Sequence, residues 1–315
     1  MPLKPIKPFI NYSQQINKLI NDKGLIIHDI PAAENMLTDL SYYALIDGYK
    51  DIFYNRMNRK YLPGTTIDDI IIMYQFDKAF RELYFKYICV IEQKMRSLIS
   101  YHFCERHGND QSEYLDPSNY LNTRRNRSDI NKLVHILSRE VNISNEHPYV
   151  VYQRNTYGNV PLHVATKTLT FGQMSKMYSL LPATIKTRIS LHFKNTSERE
   201  LAQHLRVLGD YRNVCAHNER LYNHIDRNEI PDTELHDKLG IPKRGSQYIF
   251  GKKDSFSVVI SLRYLLPRKD FLSFKKELAS LIRKSLRQSN FLTENTLLST
   301  MGFPLNWKNI TRYQL

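Results

Sequence analysis

Apolar residues recur at three- and four-residue steps along most of the chain, the period of a helix with one buried face. The clearest case carries Phe80, Tyr84, Tyr87, Ile88, Ile91, Met95, Leu98, Ile99 and Phe103 on one stripe. It predicts a long helix capped at Thr66, reaching about His107 and stopped by Gly108. Before it, Ser13 is a candidate cap for "QQINKLINDK", and Pro31 suits the first turn of "PAAENMLTDLSYYALI". After it, Ser128 is a candidate cap for "DINKLVHILSREV", and a tyrosine-bearing connection follows. "LTFGQMSKMYSLL" and "PATIKTRISLHFK" read as two helices broken at Pro182. Ser197 and Glu200 form a capping box that opens a helix running into "GDYRNVCAHNERLYN". Residues 224–253 are polar and hold Pro231, Gly240, Pro242 and Gly245, so they read as a loop or excursion. "SFSVVISLRYLL" and "DFLSFKKELASLIRKSLRQ" restore the helical period, the second with a core face of Phe271, Phe274, Leu278, Leu281 and Ile282. "MGFPLNW" reads as a packed, non-helical tail. No repeat or linker interrupts the pattern, so one compact all-α domain over 1–315 is expected.

Composition agrees: glycine is scarce at 11 of 315 residues and there are 13 prolines. Charge adds something new. The formal net charge is +14, and twelve basic residues face three acidic ones between Lys243 and Arg287. Such a block suits a polyanion partner. Lys269, Lys276, Arg283 and Arg287 follow steps of seven, seven and four on one predicted helix, a stripe within about 40°. Lys243, Arg244, Lys252 and Lys253 would widen that footprint. Backbone contacts of this kind position RNA without reading its sequence. The cysteines, Cys89, Cys104 and Cys215, form neither a C-x-x-C nor an even set, which suits a reducing cytosol. "MPLKPIKPFI" lacks a leader's apolar run, and no stretch has the roughly 18 apolar residues of a membrane span. A cytoplasmic protein is expected, without membrane, metal or cofactor; His135 and His147 are scattered, and His102, Glu105 and His107 have no ligand spacing.

An arginine and a following histidine separated by four to six residues occur three times: Arg96 to His102, Arg199 to His204, and Arg212 to His217. The bare spacing is weak, but context separates the three. In "RNVCAH", Asn213 directly follows Arg212 and Ala216 precedes His217. On a continued helix Asn213 and His217 would share a face, extended by Arg220 and His224. Arg212 and His217 would lie about 140° apart, so a second such helix would complete a cleft between them. Metal-free RNA cleavage needs a proton carrier working near neutral pH, which histidine provides. It also needs a fixed cation beside the phosphate, which arginine provides; an amide such as Asn213 can orient either. A polar helix end without catalysis needs the same residues. Arg199 reads as balancing an acidic first turn. Glu92 and Arg96 read as an intrahelical pair, able with His102 to approach the motif helix from a neighbour.

The chain resembles the Abi family of bacterial abortive-infection proteins, the AbiD/AbiF type within the HEPN superfamily. The matching stretches are "KPFINYSQQINKLINDKGLII", "YQFDKAFRELYFKYICVIEQKMRSLISYHFCERHG", "LTFGQMSKMYSLL", "YRNVCAHNERLYN" and "MGFPLNW", in the family's order. The resemblance implies a HEPN-like four-helix core with additional N-terminal and C-terminal helices. It implies a metal-independent endoribonuclease acting as a toxin in phage defence, with Arg212, Asn213 and His217 as catalytic residues and Glu92, Arg96, His102 and Arg220 in support. Some members are restrained by a structured non-coding RNA. Others in the superfamily are restrained through a modified tyrosine two residues after the motif histidine, where this chain has Glu219. RNA is thus the expected substrate and restraining partner, and a homodimer the expected assembly. The alternatives are a non-catalytic RNA-binding protein with the same core, and a peripheral membrane protein using its basic region.

Overall fold

The computed structural model describes residues 8–314, so the N-terminal heptapeptide on which the leader reading partly rests lies outside the described residues. Helix accounts for 64% of the described residues and strand for 3%, so the fold is all-α. In chain order the helices are α1 (Tyr12–Asn21), α2 (Ile30–Leu40), α3 (Ile67–His107), α4 (Gln111–Leu115) and α5 (Arg127–Asn142). Then come α6 (Pro148–Tyr157), α7 (Leu162–Ala165), α8 (Phe171–Leu180), α9 (Ala183–Ser190) and α10 (Glu198–Ala216). The last are α11 (Glu234–Lys238), α12 (Ser255–Leu265), α13 (Arg268–Gln288) and α14 (Glu294–Thr300). Two small antiparallel hairpins pair β1 (Tyr54–Asn55) with β2 (Lys60–Tyr61), and β3 (Lys243–Arg244) with β4 (Gln247–Tyr248). The chain divides into two units, residues 8–80 with 277–300, and residues 81–276 with 301–314.

In the smaller unit α1 packs on α2. Asn11, not Ser13, caps α1, through a reciprocal box with Gln14. The helix expected over 31–46 stops at Leu40, because Ser41 takes a left-handed φ of 63° and its hydroxyl then accepts from the Ala44 amide to start a separate turn. Thr66 caps α3 as expected, exchanging bonds with Asp69. Asp69 is buried and also accepts from the Ser289 hydroxyl at 2.6 Å.

The larger unit holds the rest of α3, with α10 packed on α8, α9 and α12. Every predicted α3 stripe residue is buried except Leu98, which is half-buried. Gly108, at φ 94°, stops the helix in the left-handed region that glycine tolerates. Ser128 lies inside α5, whose N-cap Asn126 makes no side-chain capping bond and donates instead to the Leu121 carbonyl at 3.1 Å. The connection after α5 contains α6 and α7, which were not predicted. Residues 224–253 are more ordered than a polar loop: Leu235, His236, Ile241 and Tyr248 are buried around α11 and the second hairpin. The tail reading holds. Phe303 lies 4.9 Å from the Phe256 ring of α12 and 5.6 Å from the Trp307 ring, and Trp307 is fully buried.

Candidate active site

α10 begins at the Ser197–Glu200 capping box. Gly209 permits its close approach to α8: a Cβ there would lie 3.1 Å from Phe171 and 3.8 Å from the Gly172 backbone. Tyr211, fully buried, donates to the carbonyls of His224 at 3.2 Å and Lys253 at 2.7 Å. It thereby clamps both ends of the 224–253 excursion, a role not foreseen from the motif.

Arg212 is half-buried. Its guanidinium lies 5.5 Å from the centroid of the Phe85 ring, and its Nε lies 3.8 Å from a Glu92 carboxylate oxygen. That separation is an ion pair but too long for a hydrogen bond. The other Glu92 oxygen accepts from Arg96, which also donates to the carbonyls of Thr166 and Leu169 just before α8. One buried carboxylate therefore sits between two guanidinium groups, leaving one net positive charge. Burial and the Glu92 carboxylate push the nearby Cys89 thiol above its ordinary pKa, against the two arginines. Phe85, Cys89, Glu92 and Arg96 are spaced four, three and four apart, one face of α3. That spacing could have disclosed Phe85 and Cys89 as neighbours of the motif.

His217 is the C-cap of α10, its amide bonded to the carbonyls of Asn213 and Cys215. Asn218 then adopts a left-handed φ of 56° and the chain reverses. The helical face expected to run from Asn213 through His217 to Arg220 and His224 therefore does not form: α10 ends at Ala216, and the last two residues lie beyond it. Asn213, His217 and Arg220 are exposed. Among the described residues no side chain hydrogen-bonds the His217 ring.

The structure joins Glu92, Arg96 and Arg212 but ties His102 elsewhere. His102 bonds the His192 ring at 3.1 Å and Glu105 at 3.2 Å. His204 is buried against the Ser261 hydroxyl at 2.8 Å, and burial lowers its pKa to about 3. Of the candidate RNA contacts, Lys269, Lys276, Arg283, Arg287, Lys243 and Arg244 are exposed. Lys269 and Lys276 belong to the larger unit, Arg283 and Arg287 to the smaller. Lys243, Lys252 and Lys253 pair with Asp237, Asp232 and Glu229 at 3.3, 2.6 and 2.8 Å. Those acids neutralise most of the charge expected to widen the footprint. The scattered-histidine reading needs a correction. His147 meets Glu140 and Glu146 with potential ligand atoms within 4.8 Å, a group that could hold a cation, although Arg139 already pairs with Glu140.

Among the described residues no helix is long and apolar enough to cross a membrane. No curated protein and no solved structure matches the chain. The sequence model of a family described as Abi-like protein matches residues 35–223, a span that holds Glu92, Arg96, Arg212, Asn213 and His217 and stops at Asn223. That match covers more than half of the sequence, and the chain belongs to the Abi-like protein family.

Proposed function

We propose that the protein is a metal-independent endoribonuclease of the HEPN type, acting as a toxin in abortive infection, with Arg212, Asn213 and His217 at its cutting centre. The observation that carries this reading is a fixed cation and an exposed imidazole at the same helix end. Arg212 is held by Phe85 and Glu92, yet among the described residues its guanidinium makes no hydrogen bond. Apart from the buried Nε, its donors are therefore available to a phosphate. The substrate's 2′-hydroxyl would attack phosphorus while the 5′-oxygen leaves. His217 moves the proton, Arg212 stabilises the crowded phosphate, and Asn213 orients it. The products are a 2′,3′-cyclic phosphate and a 5′-hydroxyl.

Among the described residues no side chain hydrogen-bonds the His217 ring, which supports a site completed by a second copy. Mixing His217→Ala chains with Arg212→Ala chains should restore cleavage if the site is shared between copies. The missing orienting group also favours a second reading, a non-catalytic RNA-binding scaffold. An RNA digest in excess chelator with end-group analysis separates the two. Metal-free cleavage to cyclic phosphate ends, lost in His217→Ala, supports the nuclease. Intact RNA that nonetheless binds supports the scaffold, and 5′-phosphate products or loss of activity in EDTA overturn the metal-free chemistry.

A structured RNA is the proposed restraining partner, gripped by the exposed cations of α13. Replacing Lys269, Lys276, Arg283 and Arg287 by glutamine should loosen binding and flatten its salt dependence, by about 0.7–0.9 in log–log slope per lost phosphate contact.

A further inference from the structure

A cleft of about 640 Å³ in the larger unit is lined by Lys94, Lys194, Arg263, Arg268 and Arg312, and no carboxylate side chain is among the described residues that wall it. Lys94 Nζ donates to the His192 carbonyl at 3.2 Å and lies 4.0 Å from the centroid of the Phe193 ring. Arg263 donates to the Tyr313 carbonyl at 3.0 Å and lies 5.5 Å from the centroid of the Phe271 ring. Carbonyls and rings hold these two cations in place without neutralising them. Among the described residues none of the five forms an ion pair, whereas Lys243, Lys252 and Lys253 each have a carboxylate. Asp270 is in the first turn of α13 but does not line the cleft. Burial lowers the pKa of Lys94, and burial together with Arg268 lowers that of Arg263. Arg263 Nε is also buried without a hydrogen-bond partner.

Unpaired like charges around a concavity are costly unless a ligand of opposite sign completes them. Three guanidinium groups offer planar forks suited to phosphate oxygens. Five cations exceed what a single phosphate neutralises, and the volume is within the usual range for a small-molecule site. Phe193, Tyr264 and Tyr313 add aromatic surface to the lining.

We propose that this cleft binds the polyphosphate of a nucleotide, either a free nucleoside triphosphate or the 5′-triphosphate end of an RNA. None of Arg212, Asn213 or His217 lines it, so the site stands whether or not the protein cuts RNA.

The test is equilibrium binding to the full chain at low salt. The probes are inorganic triphosphate, ATP, GTP, polyglutamate, and one short RNA with either a 5′-triphosphate or a 5′-hydroxyl. The RNA arm uses His217→Ala so that the strand stays intact. Inorganic triphosphate should bind, and Arg268→Gln with Arg312→Gln should weaken it by about tenfold or more, roughly 1.4 kcal/mol per factor of ten. Both arginines are exposed, so their replacement leaves the core intact; an unchanged melting temperature verifies this. As a control, Arg124→Gln with Lys132→Gln, two exposed cations that do not line the cleft, should leave triphosphate affinity unchanged. ATP or GTP binding as tightly as the 5′-triphosphate RNA identifies a free-nucleotide site. An RNA preference of tenfold or more for the 5′-triphosphate over the 5′-hydroxyl, with weak ATP and GTP binding, identifies an RNA-end site. The proposal is overturned if inorganic triphosphate fails to bind, if the double variant binds it equally well, or if polyglutamate binds as tightly.

Discussion

The two ends of α10 carry the same sequence signal and give it opposite fates. Arg199 and His204 have the same spacing as Arg212 and His217. The first pair opens the helix. Its histidine is 1% exposed, bonded to Ser261 and stacked 5.7 Å from the Tyr264 ring. The second pair closes the helix, and its histidine stands exposed at the C-cap. A histidine held neutral in a core is a poor proton carrier near pH 7, whereas an exposed one at the end of a helix can meet a substrate. Spacing along the chain reports neither burial nor partners, and those decide whether an imidazole can do chemistry.

The largest effect should come from exchanging the two histidines' roles. His217→Ala should lower RNA cleavage by about 10²–10⁴-fold and abolish growth arrest, with an unchanged melting temperature. His204→Ala should cost about 2–4 kcal/mol of stability through its cavity and the stranded Ser261 hydroxyl. Cleavage per folded molecule should persist in that variant. A folded His204→Ala protein without cleavage would break the comparison, as would a His217→Ala protein that stays toxic.

Arg96→Ala comes next. It strips Glu92 of its closest cation and frees the Thr166 and Leu169 carbonyls. Breaking a buried pair costs about 3 kcal/mol, so thermal unfolding and cleavage should fall together. Cleavage lost at a constant melting temperature would move Arg96 into the reacting set.

The acid limb of stability should show the buried histidine. Its folded pKa, about 3, lies below its unfolded value, so the folded state binds fewer protons than the unfolded state. The contribution of His204 is therefore fully present above pH about 6.5 and is lost as pH falls toward 3. Denaturant midpoints at pH 7, 5 and 4 should decline less steeply in His204→Asn than in the parent. An identical slope would mean that His204 is not held neutral.

The smallest effect should be at Asn213, which orients rather than reacts. Asn213→Ala should reduce the cleavage rate by a smaller factor than His217→Ala and leave the melting temperature in place. An equal loss would make the amide part of the proton-transfer chemistry.

Long amphipathic segments were legible. The α3 stripe, the Ser197–Glu200 box, the break at Pro182 and the start of α12 all appear as read, because a long helix repeats its burial signal over many turns. Short or weakly amphipathic elements were not. In α6 only Val150 is buried, so "PYVVYQRNTY" carries no clear period. Caps were ambiguous where several polar residues cluster, as at Asn11 and Ser13. In the candidate site the Glu92–Arg96 pair was legible as a one-turn acid–base spacing. The approach of Arg212 to the same carboxylate was open, since it joins residues 120 positions apart in sequence.

By itself the sequence determined the helical class, the main helices, the basic excess and the motif that marks the family, all of which depend on local period, composition or residue order. Tertiary structure decided which histidine is buried, where α10 stops and which cations keep their charge unpaired. It paired Lys252 with Asp232 across the excursion, yet left Arg268 and Arg312 facing a cleft without a carboxylate side chain. The physical reason is that burial and charge neutralisation depend on neighbours from distant parts of the chain, and only packing brings those neighbours together.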